Sequence, residues 1–153
     1  MQIKVIALLA TVTLLAGCAG TPPKLGVING QLPACPASPN CVSSQASDPQ
    51  HAIAPLSLTG TPTEVREQLL QAFGTLDRTK VVVSEPDYIA AEVTSRVFRF
   101  VDDVEFYFPA TAATGAEMVV QVRSASRLGH SDLGVNRERV ELIRDRLKRV
   151  RAE

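Results

Sequence analysis

The sequence predicts an α+β fold: a four-stranded antiparallel meander with an N-terminal and a C-terminal helix packed on one face, a two-layer sandwich. Three observations predict it. Residues 79–127 alternate apolar and polar with short interruptions, the period of half-buried strands joined as hairpins. Before them, residues 62–73 carry apolar positions at helical spacing behind a capping sequence. After them, Val140, Ile143, Leu147 and Val150 recur every three or four residues.

In chain order, residues 1–17 read as an export signal. Lys4 precedes an uncharged apolar run from Val5 to Ala16, too short to span a bilayer comfortably. The run ends Leu14-Leu15-Ala16-Gly17-Cys18, which resembles a bacterial lipobox and makes Cys18 the expected site of lipidation. Several acyl chains on one cysteine would give stable attachment to a membrane. Ala19 follows the cysteine, where an aspartate would mark inner-membrane retention by the enterobacterial sorting rule. The expected location is therefore the periplasmic side of the envelope, lipid-anchored, at the outer rather than the inner membrane. Residues 18–31, with two prolines and three glycines between positions 19 and 30, read as a flexible tether. A single domain is expected over 32–153.

Cys35 and Cys41 have five residues between them, among them Pro36, Ser38, Pro39 and Asn40. In an exported chain whose third cysteine carries lipid, they are expected to form a disulfide. His51 follows in a polar loop and is expected to be solvated. The competing readings of a metal site with His51, or of Cys41 as a nucleophile, have less to support them. No metal and no other cofactor is expected.

Thr61-Pro62-Thr63-Glu64 opens the first helix, with Thr61 as cap and Pro62 at the first helical position. Val65, Leu69, Ala72 and Phe73 form its apolar side, and Gly74 is a natural stop. The strands follow at 79–84, 88–100, 103–108 and 117–127. Along 88–100 the two faces exchange polarity, so a bulge is expected near Arg96 to Phe98. Val101-Asp102-Asp103 reads as the turn into the third strand, and 109–115 as a loop of small residues. Val104, Phe106, Phe108, Met118, Val120 and Val122 share the apolar face. Asp103, Glu105, Tyr107, Gln121, Arg123 and Arg127 share the other, where opposite charges should pair across strands. Ser131, Asp132 or Asn136 caps the last helix, whose Arg137, Arg139, Arg144, Arg146 and Arg149 are expected to face water.

Ser38-Pro39-Asn40-Cys41-Val42-Ser43-Ser44, the run from Glu92 to Glu105, Val122 to Arg127, and Ser131-Asp132-Leu133-Gly134-Val135-Asn136-Arg137 resemble the uncharacterised DUF1499 family in this order. The resemblance covers about 32–150. It implies a bacterial and plastid domain, often exported or membrane-linked, and supplies no catalytic assignment to inherit.

Sixteen basic residues balance sixteen acidic ones, so there is no net field for nucleic acid. The candidate ligand site is Arg96, Arg99, Asp102, Asp103, Glu105, Arg123, Arg127, Asp132, Asn136 and Arg137. Forked guanidinium donors beside a helix N-terminus suit a carboxylate or phosphate. The sequence therefore points to a non-catalytic envelope lipoprotein that binds a protein partner or a small anionic ligand. The alternative is a hydrolase or transferase acting on envelope material, with Asp102, Asp103, His130 and Asp132 as acids and bases. His130-Ser131-Asp132 are too close in sequence for triad geometry, and no nucleophile elbow, phosphate loop or dinucleotide fingerprint is present.

Overall fold

A computed structural model describes residues 20–109 and 117–150. The expected signal at 1–17, Cys18 and nearly all of the expected 109–115 loop lie outside these residues. The elements are β1 (Cys41–Ser43), β2 (Leu56–Thr59), α1 (Pro62–Gly74), β3 (Thr79–Ser84), β4 (Tyr88–Thr94), β5 (Val101–Tyr107), β6 (Glu117–Ser126) and α2 (Val135–Val150). The α+β class agrees with the sequence, but the antiparallel sheet has six strands rather than four, ordered β1-β6-β5-β4-β3 with β2 also on β6. The two extra strands share the outer edge of β6. β2 pairs with its first half (Leu56 opposite Val120) and β1 with its second (Cys41 opposite Ala125). Both are only three or four residues long and lie between prolines, so even the alternation of Leu56-Ser57-Leu58-Thr59 in β2 is too short to read as a strand.

α1 starts as the sequence predicts. The Thr61 hydroxyl accepts from the Glu64 amide at 3.3 Å, and the Glu64 carboxylate accepts from the Thr61 amide at 2.7 Å. Val65, Leu69, Ala72 and Phe73 are buried. They meet Val140, Ile143 and Leu147 of α2 over a sheet face built from Ile89, Ala91, Val104, Phe106, Phe108, Met118, Val120 and Val122. Phe73 meets Phe106 edge-on, with ring centroids 4.9 Å apart. Fully burying such side chains contributes about 1.5–3 kcal/mol each, which makes this layer the principal source of stability.

The hairpin between β4 and β5 departs from the sequence reading. β4 ends at Thr94, and the chain reverses over Ser95–Phe100. The Ser95 amide donates to the Phe100 carbonyl at 2.8 Å, and Arg99 takes a left-handed φ of 59°. The exchange of polarity along 88–100 is therefore a chain reversal, not a bulge. Asp102 and Asp103, expected in a turn, are paired strand residues of β5. The sheet's register shift lies instead in β3, between Val81 and Val83.

The second sheet face is covered over Tyr88, Ala90, Glu105 and Arg123, while Val119 stays exposed. The stretch expected to be a tether lies across it. A side chain at Gly20 (φ 67°) would bring its Cβ within 2.9 Å of the Arg127 Cβ and 3.1 Å of the Leu128 Cγ. The Gly26 amide donates to Glu105 at 3.1 Å. Leu25 and Val27 pack with Leu32, Tyr88, Ala90, Val83 and Tyr107. Cys35 and Cys41 form the expected disulfide, which pins the end of this strap to β1.

Candidate functional site

Alternation along β5 sends Asp102 and Asp103 to opposite faces of the sheet, and each organises a separate polar cluster. Beneath the helices, Asp102 accepts from Arg139 of α2. Arg139 also donates to the Ser124 hydroxyl at 3.0 Å and to the Asn136 Oδ1 at 2.7 Å. The Asn136 Nδ2 in turn reaches the Asn40 carbonyl, the Ser126 hydroxyl and the Asp132 carboxylate, at 2.8–3.0 Å. This cluster joins the loop before β1, the end of β6 and the start of α2. The expectation that Arg139 faces water fails because a buried carboxylate opposite it needs a counter-charge.

Asp132 caps α2. Its carboxylate accepts from the amides of Asn136 (2.8 Å) and Gly134 (3.1 Å). Burial pushes its pKa up, but these amides outweigh burial and hold it below the ordinary carboxylate value. The helix N-terminus thereby already holds an anion, Asp132 itself.

On the second face, Glu105 and Arg123 are directly opposed on β5 and β6. The fully buried Glu105 accepts from Arg123 at 2.9 Å, from the Tyr88 hydroxyl at 2.7 Å and from Gly26. Burial, then the bond to Glu105, drives the Tyr88 phenol far above its ordinary value, so it stays a donor. Beside this group, Arg127 is forked onto both oxygens of Asp103, at 2.8 and 2.7 Å, and reaches Glu92 at 2.5 Å. Its pKa is raised, first by the hydrogen bonds to Asp103 and then, against opposing burial, by those to Glu92. Its side chain is only 5% exposed. These charges were expected on a solvated face, where pairs contribute little. Strap and sheet bury them, so each arginine here answers a carboxylate that would otherwise be stranded.

The remaining candidates lie apart from both clusters. Arg96 and Arg99 are exposed on the β4–β5 hairpin tip, and neither has an ion-pair partner among the described residues. Arg137, expected in water, donates to the Ala52 and Gln50 carbonyls at 2.9 and 3.1 Å. Arg144 likewise binds the Pro55 and Ala54 carbonyls. His130 is exposed. His51 is buried rather than solvated: its Nδ1 meets Asp48 at 2.8 Å and its Nε2 meets the Ser38 carbonyl at 3.1 Å. With an acceptor at each nitrogen the imidazolium is favoured, and its pKa is raised, first by Asp48 and then by Ser38. Cys41 is held in the disulfide, so it is neither a free nucleophile nor a thiolate ligand.

The family model described as "Protein of unknown function (DUF1499)" matches residues 31–147. The chain belongs to the DUF1499 family. No curated protein and no solved structure matches it. Within this DUF1499 domain the residues of the two polar clusters fall inside the matched span, Gly26 excepted. Asn40, Asp102, Asp103, Arg123, Ser124, Ser126, Arg127, Asp132 and Asn136 all take part. The candidate site read from the sequence missed Asn40 and Glu92 as members, and with them Tyr88, Arg139 and Gly26. Tyr88 opens a strand, Arg139 sits in a run of basic helix residues, and Gly26 contributes only its amide, so none carries a sequence signal of its own.

Proposed function

We propose that this DUF1499 protein is a non-catalytic envelope lipoprotein, anchored through Cys18 and displaying a rigid interaction module on the periplasmic side of the outer membrane. One observation carries the non-catalytic part: of the four acids and bases that the enzyme reading needs, Asp102, Asp103 and Asp132 are engaged in holding the fold, and His130 alone is exposed. Asp102 and Asp103 face opposite sides of β5 and are each answered by an arginine, while Asp132 is used as a helix cap. An acid–base pair would need two such groups on one substrate. Arg123 and Arg127 are likewise engaged by Glu105, Asp103 and Glu92, which leaves little of their charge for an anionic ligand.

One surface open to a protein partner is a cleft of about 410 Å³ between the end of α1 and the first turns of α2. Leu76, Val135 and Leu142 give it apolar walls, and Arg78, Glu138 and Arg146 line it with charge. Such a mixed lining suits a partner segment with an apolar anchor and a polar rim. The sequence before Cys18 supports the anchor.

Two experiments test the proposal. Blocking lipoprotein signal processing with globomycin should accumulate the wild-type precursor, and Cys18→Ala should never acquire acyl chains; processing insensitive to globomycin would remove the lipoprotein reading. A photo-crosslinker at Leu142 should give a discrete protein adduct in intact cells, and one at Glu85 should not. Equal labelling from both positions would remove the interaction reading.

A further inference from the structure

The strap changes what a lipid at Cys18 would do. Residues 18–31 would hold the domain off the membrane if they were free. Gly20, however, is already seated against Arg127 and Leu128. Only Ala19 lies between Gly20 and Cys18. Two residues reach at most about 7 Å, so a lipid on Cys18 would hold one particular end of the domain at the bilayer surface.

That end is distinctive. It carries the β4–β5 hairpin tip and the loop from β6 to α2, brought together where the Arg127 amide donates to the Val101 carbonyl at 3.1 Å. Val97 is 74% exposed, Phe98 72% and Leu133 90%, with Leu128 and Phe100 also exposed. Phe98 and Phe100 stack on each other, with ring centroids 5.6 Å apart, outside the core. Arg96 and Arg99 flank them. Of the acids at this end, Asp102 and Asp103 are engaged by arginines and Asp132 as a cap, while Asp77 is exposed with a 3.8 Å contact to Arg78. Glu138, on the first turn of α2, is the acid there that has no ion pair among the described residues. The opposite end, at the β3–β4 turn and the start of β6, carries Glu85, Asp87 and Glu117 together with Arg66, which donates to Ser84, and Lys148 near Glu117.

We propose that the hairpin tip and the β6–α2 loop form a membrane-seating surface, in which Val97, Phe98 and Leu133 enter the headgroup region of an anionic bilayer and Arg96 and Arg99 bind lipid phosphates. This rests on the lipoprotein reading above and deepens it, by making the anchored end a second, weaker contact. Apolar side chains beside cations are the pattern of interfacial association. A cation close to an anionic surface shifts the equilibrium by about fivefold. Attachment at Cys18 would keep the surface at high effective concentration over the bilayer, so that modest affinity suffices.

The test uses the full lipidated protein in vesicles of phosphatidylethanolamine and phosphatidylglycerol. The chain has no tryptophan, so Phe98→Trp, Leu133→Trp and Glu85→Trp each supply a single reporter. Vesicle binding should blue-shift the first two, brominated lipid should quench them, and the third should be left unchanged by both. Arg96→Gln and Arg99→Gln, added to Phe98→Trp or Leu133→Trp, should each lower the inserted-to-free ratio about fivefold, as should high salt in direction. An acylated protein, verified by mass, whose tip reporters stay unquenched would overturn this inference and leave the lipoprotein reading standing. A mature protein without acyl mass would overturn both. Shielding of the tip only when another envelope protein is added, and never in protein-free vesicles, would assign the surface to a protein partner and overturn the inference.

Discussion

Two sets of arginines on neighbouring pieces of one sheet have opposite fates. Arg123, on β6, and Arg127, one residue past its end, have side chains buried under the strap and locked onto Glu105, Asp103 and Glu92. Arg96 and Arg99, on the hairpin tip, are exposed and unpaired among the described residues. In sequence the four look alike: each stands between apolar or small residues in a stretch that alternates like a strand. What separates them is what the fold places opposite and above. A carboxylate on the neighbouring strand and a covering chain turn a guanidinium into a structural part. The absence of both leaves it free to meet something outside the molecule.

The comparison is broken most easily at its buried side. Arg123→Ala strands Glu105, a fully buried carboxylate, with only Tyr88 and Gly26 as donors. Chemical denaturation should show a loss of about 3–5 kcal/mol, the usual effect of removing one member of a buried pair. A smaller effect is expected from Tyr88→Phe, which removes one donor to the same carboxylate and should cost about 1.5–3 kcal/mol by the same measurement.

His51 and Asp48 are an intermediate case, a pair with one partner buried and the other half-exposed. The folded-state pKa of His51 lies above its ordinary value of 6.5. Its contribution is therefore fully present below that ordinary value and is lost as pH rises through the raised one. His51→Gln should lower the melting temperature most at mildly acidic pH, and the difference from wild type should shrink in alkaline buffer. A difference that grows with pH would reverse the assignment. The smallest effect belongs to the exposed side. Arg96→Ala and Arg99→Ala should change stability by no more than about 0.5 kcal/mol, the range of surface substitutions.

Much of the scaffold was legible before any coordinates. The capping box at Thr61 and Glu64, the apolar side of α1, and the alternation of Val104 to Phe108 and Met118 to Val122 each obey one local rule, and each is found where that rule puts it. The β4–β5 hairpin was misread for a physical reason that bears on function. Val97, Phe98 and Phe100 looked like strand because apolar residues usually go inside, whereas here they stand in solvent on a tip. Asp102-Asp103 looked like a turn because adjacent aspartates rarely share a buried strand. Strand geometry hides one on each face, and residues distant in sequence, Arg139 and Arg127, neutralise them. The strap was illegible for a similar reason. Glycine and proline content suggests a free linker, and nothing local reveals that Gly26 offers its amide to Glu105 or that Gly20 fits against Arg127 only because it lacks a side chain. The pairing partners of a buried charge are properties of the whole fold.

The central claim is that the buried arginines serve their carboxylates and not an external anion. A double-mutant cycle on Asp103 and Arg127, followed by denaturant unfolding of the full chain, tests it most directly. Arg127→Ala alone should cost about 3–5 kcal/mol. Adding Asp103→Ala should cost much less than the sum of the two single changes, because each carboxylate or guanidinium left behind is what destabilises the single variants. If Arg127→Ala is instead as stable as wild type, or the two changes simply add, Arg127 is not spent on Asp103, and the account of this sheet face is wrong.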